Sequence, residues 1–597
     1  MTNLIYRFRS LALAALLGCL SAGFTACSDD DPALPGTGIE TAQWTDVNDV
    51  DIKGQTLIYE FDAPAKWSAS TPDEDWVHIL TPSGEMGLSS LRVKVDPNEG
   101  DLGRSSTVTV KVDGYAEPCV LTLRQGDGVL EKGDGRYREV NKWIYEYMAE
   151  RYLWNEQIPQ LQLDYTLDYQ KFLDQMLNRI AAFDNVNAED GHWSEGKRQY
   201  WYTNIDSSAP VSRAAGDTNT DSGLLIMGAQ IDTNDGRELG FAVLWCTPGS
   251  PADQEGIKRG QFIRKVNDIA ITMDNYQELG SRVVNGNCTL DVYDIVFSTD
   301  GIATITPVTN VFIGKWSYKD PSIYTSRILT VKGDKKVAYL NYMGFYMDFD
   351  TDLIDTFRQF KEAGVDELIL DLRYNSGGHV LSSTLLGTLI AGSAHQGEIY
   401  VRTTYNADRT AKGEVGDYKI GDAAVPEGTG TYDLIPQGLT QSLGLTKVYV
   451  IATETTASAS ELVINGLRGL GIEVNLIGTT TNGKNVGMEG TRYTYRNYDF
   501  YFYPITFYCQ NAKGFNAYSE GFKPDVEFDD TYYFPCDFGT ERDPYTNLAL
   551  QWIIDGSKPS VTTNSRSTMA NYRPMKMTED MKQPLTRRLG GNLQMRD

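Results

Sequence analysis

Between about residues 38 and 127, apolar and polar positions alternate. Leu91, Val93 and Val95 form one trio, Val108, Val110 and Val112 a second, and Cys119, Leu121 and Leu123 a third. A period of two puts each trio on one face of a strand, and turn residues such as Asp96-Pro97-Asn98-Glu99-Gly100 separate them. This predicts a small all-β sandwich. From 133 to 206 the spacing changes: Trp143, Ile144, Tyr147 and Met148, then Phe172, Leu173, Met176, Leu177 and Ile180, follow the stripe of an amphipathic helix. A polar stretch from Ser207 to Gly223, "SSAPVSRAAGDTNTDSG", reads as a linker.

Strands return over 224–308, around "GFAVLW". From 309 to 556 strand and helix alternate. "KVAYLNYM" (Lys336 to Met343), "LILDLR" (Leu368 to Arg373), "KVYVIAT" (Lys447 to Thr453) and "VNLIG" read as strands. Leu353, Ile354, Phe357 and Phe360, "HVLSSTLLGTLIAG", and Ser458 to about Leu470 mark the intervening helices. Repeated units of this kind predict an α/β domain with a mainly parallel sheet, in which the loops at strand C-termini carry function. After a last helix, "YTNLALQWII", residues 557–597 form a polar, basic tail expected to be a loose strap.

Composition narrows the partners. A formal charge of −26 over 597 residues excludes a nucleic acid, because a duplex needs Lys and Arg to displace its counterions. It also opposes adhesion of the folded surface to anionic lipid. The N-terminus has Arg7 and Arg9, then an apolar run from Leu11 to Leu20, an export signal too short to span a bilayer. Phe24-Thr25-Ala26-Cys27 resembles a bacterial lipoprotein cleavage box, which implies a signal peptide within residues 1–27, cut just before a lipidated Cys27. The box ending at Cys19 fits better locally, but cleavage there would truncate the apolar run. The acidic residues after Cys27 resemble a surface-export signal, so a lipid anchor in the outer membrane is expected, at the cell surface or facing the periplasm. The five other cysteines are widely spaced without a CxxC, and the four histidines form no HExxH pair. No metal, cofactor or disulfide framework is expected.

The chemistry concentrates in three segments. In "TETTASASELVINGLRG" (Thr453 to Gly469), Ser458-Ala459-Ser460-Glu461 is a capping box opening a helix. "DLRYNSGG" (Asp371 to Gly378) closes a buried strand with two glycines, a turn that frees backbone N–H groups. "GTTTNGKN" (Gly478 to Asn485) closes another strand and carries Lys484. All three follow strands of one sheet and are expected to converge at its edge.

These sequences resemble the DLRxNxGG, SASASE and GxxTxGK signatures of the C-terminal processing, or tail-specific, serine peptidases. "GFKPD" (Gly521 to Asp525) and "DPYTNLAL" resemble later family segments, and the likeness runs from about 133 to 556. It implies a crotonase-like, ClpP/crotonase-type α/β core, a Ser458 nucleophile, a Lys484 general base, and oxyanion donors at Ala459 and at Gly377 or Gly378. A lysine acts as a base only when neutral, so its pKa must fall from about 10.4 to near neutrality. The family often has Gln four residues after the Lys. Here that position is Met488, so Glu489 or a backbone carbonyl is expected to orient Lys484.

"SPADQEGIKRG" (Ser250 to Gly260) with "FIRKVND" is similar to the core of bacterial PDZ domains. The similarity implies capture of unfolded protein or peptide C-termini over 224–308, with "SGLLIMG" (Ser222 to Gly228) as the carboxylate loop. The order Trp67, Trp76, "LRVKVDPN", Arg104 and "LTLRQ" resembles a BACON domain, which implies glycan binding; a spacer is the alternative. Two other readings stay open. His379 with Asp371 would make a Ser-His-Asp site. A catalytically inactive lipoprotein would hold glycans or protein C-termini through its BACON-like and PDZ-like modules.

Overall fold

The computed structural model describes residues 39, 47–50, 54–73, 75–98, 104–125, 136–161, 163–181, 190–194, 197–207, 218–298, 301–426, 430–496, 498–561, 572–575 and 581. The chain divides into two compact units, 1–136 and 137–597. Cys27, the alternative Cys19 and most of the tail lie outside the described residues.

The first unit is the β-sandwich that the alternation predicts. One sheet has five strands, including Arg104–Val112 and Cys119–Gln125, and the other has three, built around Gly87–Val95. The three trios turn inward: Leu91, Val93, Val95, Val108, Val110, Val112, Leu121 and Leu123 are buried in one core with Trp67, while Cys119 is half-buried at its margin. Trp67 meets Phe61 edge-on at 5.0 Å and donates from its indole to Ser89 Oγ at 2.9 Å.

In the second unit, a six-stranded sheet runs in the order Ile323–Thr330, Lys336–Tyr342, Glu367–Asp371, Lys447–Ala452, Glu473–Gly478, Val526–Glu527. Only the first pair is antiparallel. Successive side chains take opposite faces. Ala338, Leu340, Leu370, Val450 and Leu476 pack with the helices Asp350–Ala363, Val380–Ala391 and Ala459–Leu470. Val337, Tyr339, Ile369, Tyr449 and Ile477 pack with the helix Pro544–Asp555. An antiparallel sheet of four strands, Val415–Lys419, Ile399–Thr404, Ile505–Gln510 and Val486–Met488, flanks this layer.

Three sequence expectations need correction. Residues 133–206 are not helical throughout. Helices span Arg138–Arg151 and Tyr169–Ala181, but His192–Ser194 and Lys197–Tyr200 form a hairpin, and Asn204–Asp206 adds to the strand Tyr498–Tyr503. The first helix docks on the aromatic hairpin that Thr491–Tyr495 forms with Tyr498–Tyr503, with Trp143 stacked on Tyr493 at 5.2 Å; the aromatic residues suit a helix stripe and a strand face equally. The expected linker ends early, since Thr218–Asp221 pairs with Trp316–Lys319. The tail is not loose at Tyr572–Pro574, which pairs with Leu224–Thr233. Residues 224–313 build a closed sheet, in which Gly236–Cys246 also pairs with Gln261–Val266, around the helix Tyr276–Asn285.

A buried charge cluster pins the terminal helix to the sheet. Arg373 donates to Asp371 at 2.7 Å and to Asp543 at 2.6 and 2.9 Å, and all three side chains are wholly buried. Burial pushes the Asp543 carboxyl up, but the Arg373 guanidinium outweighs it and holds the pKa below the ordinary carboxylate value. Asp543 also caps the helix Pro544–Asp555, accepting from Thr546 N–H at 3.0 Å. Removing one partner of such a cluster leaves a buried charge unmatched. Asp543→Asn is expected to lower the unfolding free energy by about 3–5 kcal/mol, measured by urea titration followed by tryptophan fluorescence.

Candidate active site

Each of the three segments occupies a loop at the C-terminal end of a parallel strand. The hydroxyl-rich loop is stitched to its neighbour. Thr453 and Thr455 donate to the Arg373 carbonyl, the latter at 2.6 Å, Thr456 Oγ1 donates to the Leu372 carbonyl at 2.8 Å, and Ser460 Oγ donates to the Asn375 carbonyl at 2.9 Å. Four of the five hydroxyls between 453 and 460 are thus used to join two strand ends.

Ser458, the fifth, stands at the head of the helix Ala459–Leu470 with φ 54° and ψ −116°. A non-glycine residue in that region costs on the order of 1–3 kcal/mol and persists only when its surroundings fix it. Glu461 supplies the fixing contact. Its carboxylate accepts from Ser458 N–H at 3.0 Å, Lys484 N–H at 2.8 Å, Gly483 N–H at 2.6 Å and Thr481 Oγ1 at 2.6 Å. The backbone half of the capping box is therefore present, and the same side chain carries the lysine loop. Glu461 has no exposed surface, and burial pushes its pKa up to about 7 against the opposing pull of these four donors.

Ser458, Ala459, Gly378 and Lys484 line one cavity of about 390 Å³. The lysine side chain is only 8% exposed. Its ammonium lies 4.9 Å from the centre of the Tyr202 ring, and Tyr202 Oη donates to Asn482 Oδ1 at 2.8 Å. The neighbouring Cys509 thiol is pushed up to about 12 by burial and stays neutral. The glycine turn abuts the serine: a Cβ on Gly377 would lie 2.8 Å from Ser458 Cβ and 2.9 Å from Ala459 N, at a φ of 108°. Only glycine fits there.

Several assignments change in detail. Gly377 N–H donates to Asn375 Oδ1 at 2.8 Å, so it is engaged within its own turn and not offered to the cavity. Gly378 lies between two bonds of a bridge to Phe345, made by Phe345 N–H and His379 N–H, and its own N–H donates to nothing among the described residues. Glu489 does not orient the lysine. It pairs with Arg409 at 2.7 Å and Arg151 at 3.6 Å. His379 lines the cavity, but Asp371 is held by Arg373 and by Tyr339 Oη at 2.5 Å, so the His379–Asp371 alternative fails. Met488 lines the cavity as well.

Sequence reasoning missed Tyr202 and Asn375. Asn375 stands inside a motif already singled out, and an Asn followed by Ser and two glycines is a recognisable turn signal. Tyr202 has no local signal, because its partner Asn482 is 280 positions away.

The sequence profile of Peptidase family S41 matches residues 336–528, the Peptidase S41 N-terminal domain matches 139–194, and BACON matches 66–125. These matches make the chain similar to peptidase family S41 within the segment from 139 to 528. A curated carboxyl-terminal-processing protease of Picosynechococcus sp. is 27% identical over 262 residues, which cover 44% of this chain and 54% of that protein. The chain thus spans about half the length of the curated relative it matches. A crystal structure of a Bacteroides fragilis NCTC 9343 protein assigned to the S41 proteases superimposes with a TM-score of 0.54 and 24% identity, covering 69% of this chain and 97% of that one. That likeness is one of fold.

The S41 core makes Glu461 a testable hinge of the site. The unfolded chain releases this proton near pH 4.5 and the folded chain near 7, so the unfolded state binds fewer protons in between and stability falls as pH rises across that window. Asp350, pushed up to about 7 by burial, acts in the same direction. Glu461→Gln is expected to lose about 1–3 kcal/mol by turning an amide N–H toward a donor, and to fall less steeply with pH. Melting temperatures of parent and variant from pH 4.5 to 7.5 isolate the Glu461 share.

Proposed function

We propose that this chain is a serine endopeptidase that cleaves unfolded proteins and C-terminal tails with a Ser458–Lys484 dyad. One observation carries the reading: the serine and lysine lie 26 positions apart in sequence, yet their backbone N–H groups share one buried Glu461 carboxylate and their side chains face one cavity. Neutral Lys484 takes the Ser458 proton as Oγ bonds to the scissile carbonyl carbon. The carbonyl electron pair moves to the oxygen, which accepts from Ala459 N–H and Gly378 N–H, donors worth about 3 kcal/mol each. As the C–N bond breaks, Lys484 returns the proton to the leaving amine. Lys484, neutral again, takes a proton from water as its oxygen bonds to the ester carbon, and gives that proton to Ser458 Oγ as the acyl C–O bond breaks, which releases the carboxylic acid product.

The remaining modules extend the reading. Residues 224–313 act as a PDZ-type peptide holder beside a crotonase-like core, and a lipid on Cys27 holds the protein at the outer membrane. The sandwich serves as a spacer or a glycan contact. Tyr202 takes the place of the missing Gln, since its ring lies 4.9 Å from the lysine nitrogen and its hydroxyl is fixed by Asn482. The inactive-scaffold alternative finds no support in this arrangement.

Protein lacking residues 1–27 is expected to digest unfolded casein. Ser458→Ala and Lys484→Ala should each reduce kcat by several orders of magnitude, on the order of 10⁶ for the nucleophile, with melting temperatures near that of the parent. Retained cleavage in Ser458→Ala would refute the dyad.

The cavity also sets a preference. Leu381, Tyr405, Leu462, Phe507 and Tyr518 form much of its wall, an apolar lining that suits a large apolar side chain. Mass spectrometry of the casein fragments should place apolar residues on the N-terminal side of the cuts. A charged or small consensus would show that this wall does not hold the substrate side chain.

A further inference from the structure

The strand Leu224–Thr233 is paired along one side by Gly236–Cys246. On its other side the chain's own tail lies antiparallel, with Ile231 opposite Tyr572, Gln230 opposite Arg573 and Ala229 opposite Pro574, and Met575 N–H donates to the Gly228 carbonyl at 2.7 Å. The helix Tyr276–Asn285 forms the opposite wall. Met575 lies against Gly228, where a Cβ would come within 3.2 Å of it, and Met581 lies against Gly280, where a Cβ would come within 2.6 Å of Sδ. Met581 is fully buried among Leu279, Val283 and Val284. An interior helical glycine costs about 1 kcal/mol relative to alanine, and Gly280 is the position that admits Met581.

The pairing itself is short. Three residues pair, and Pro574 has no N–H to give. The hold therefore comes from two flexible methionine side chains and from Tyr572, which packs edge-on against Phe534 at 5.4 Å. Arg573 adds a pair with Asp232 at 3.3 Å. An edge strand of three described residues with a proline and methionine anchors is what a replaceable occupant looks like, because a peptide paired along more of Leu224–Thr233 would gain ladder bonds beyond these three positions.

We propose that Tyr572–Met575 together with Met581 are a self-supplied ligand of a peptide groove between Leu224–Thr233 and Tyr276–Asn285, and that they close this groove to extended, apolar segments of unfolded polypeptide. This rests on the reading of the module as a peptide holder. The tail competes by tethering. Its effective concentration in the intact chain is on the order of millimolar, so a free segment of equal intrinsic affinity is excluded until the tail leaves.

The test uses a binding readout, in Ser458→Ala protein, so that it stands apart from the peptidase assignment. A specific protease site is placed between residues 562 and 571 of the full chain, which is folded and then cut. A labelled peptide of residues 571–584 is titrated by fluorescence anisotropy into cut and uncut protein, with an unlabelled apolar casein segment as competitor. The expected result is binding to the cut chain at least tenfold tighter than to the uncut chain, loss of binding when the peptide carries Met575→Asp and Met581→Asp, and displacement by the casein segment. Equal binding to both forms, or binding to neither, overturns the proposal, as does failure of the casein segment to compete. Should the cut chain lose its fold, uncut Met581→Asp decides. A melting temperature near the parent with newly gained peptide binding supports a displaceable tail. A large drop in melting temperature without binding makes the tail an integral core strand and overturns it.

Discussion

One buried carboxylate holds the site together. Glu461 accepts four hydrogen bonds from three positions of the lysine loop and from the serine itself. Each of these groups belongs to a loop that has left its strand and has no ladder partner of its own. Without a common acceptor, Ser458 would have no reason to remain in a left-handed conformation, and Lys484 would hang from an unsupported turn. Burial of the acid opposes the arrangement, since it favours the protonated form, and the four donors favour the charged one. Burial outweighs the donors and leaves the pKa at about 7, so the geometry of both loops is a property of the Glu461 environment more than of Ser458 or Lys484.

The placement of the serine and lysine loops at neighbouring strand ends was legible in the sequence because each is a local feature. A strand, a short turn and a helix cap fix where Ser458 goes, and the same logic places the two glycines and Lys484. The sandwich was legible because a period of two requires no knowledge of partners. What escaped was long-range pairing. Tyr202 reaches Asn482 across the fold, the hydroxyls of Thr453, Thr455 and Ser460 join another strand, and the tail finds Leu224–Thr233 from more than three hundred positions away. Gly377 shows a subtler limit. Its spacing suits an oxyanion donor, but the Asn375 side chain takes its N–H, and only coordinates reveal which of two adjacent glycines is left to face the cavity.

Beneath the glycine turn, Arg373 neutralises Asp371 and Asp543 where no water reaches, and its own carbonyl anchors two threonines of the serine loop. A second buried guanidinium comes from the other module: Arg259 donates to the carbonyls of Leu244 and Cys536 and lies 4.3 Å from the Phe538 ring, on which Arg373 also rests at 5.1 Å. A third acid, Asp530, lies 3.6 Å from Arg373, and burial pushes its carboxyl up toward the neutral form; the two guanidiniums thus face two fully buried carboxylates and one acid biased toward neutrality, which brings the low-dielectric interior close to charge balance. The interface between them is therefore fixed by charge as well as by the apolar contact of Trp245 with Tyr374 at 5.2 Å.

This joint determines what an event in the groove can do at the site. Leu224–Thr233 sends Leu225 into the cluster that holds Trp245, Ile369 and Ile451, beside the strand ends that carry the glycine and serine loops. At its other end the tail residue Tyr572 fills a pocket with Phe262 and Phe534, so its departure would open a void between module and core. A close-packed interface does not stretch to fill such a gap by small amounts; it either keeps one packing or adopts another. Exchange of the tail for a longer segment is thus a change that the module cannot absorb alone. On the core side of this joint, Trp245 packs on Tyr374, which adjoins Asn375, the residue whose side chain accepts from Gly377 N–H.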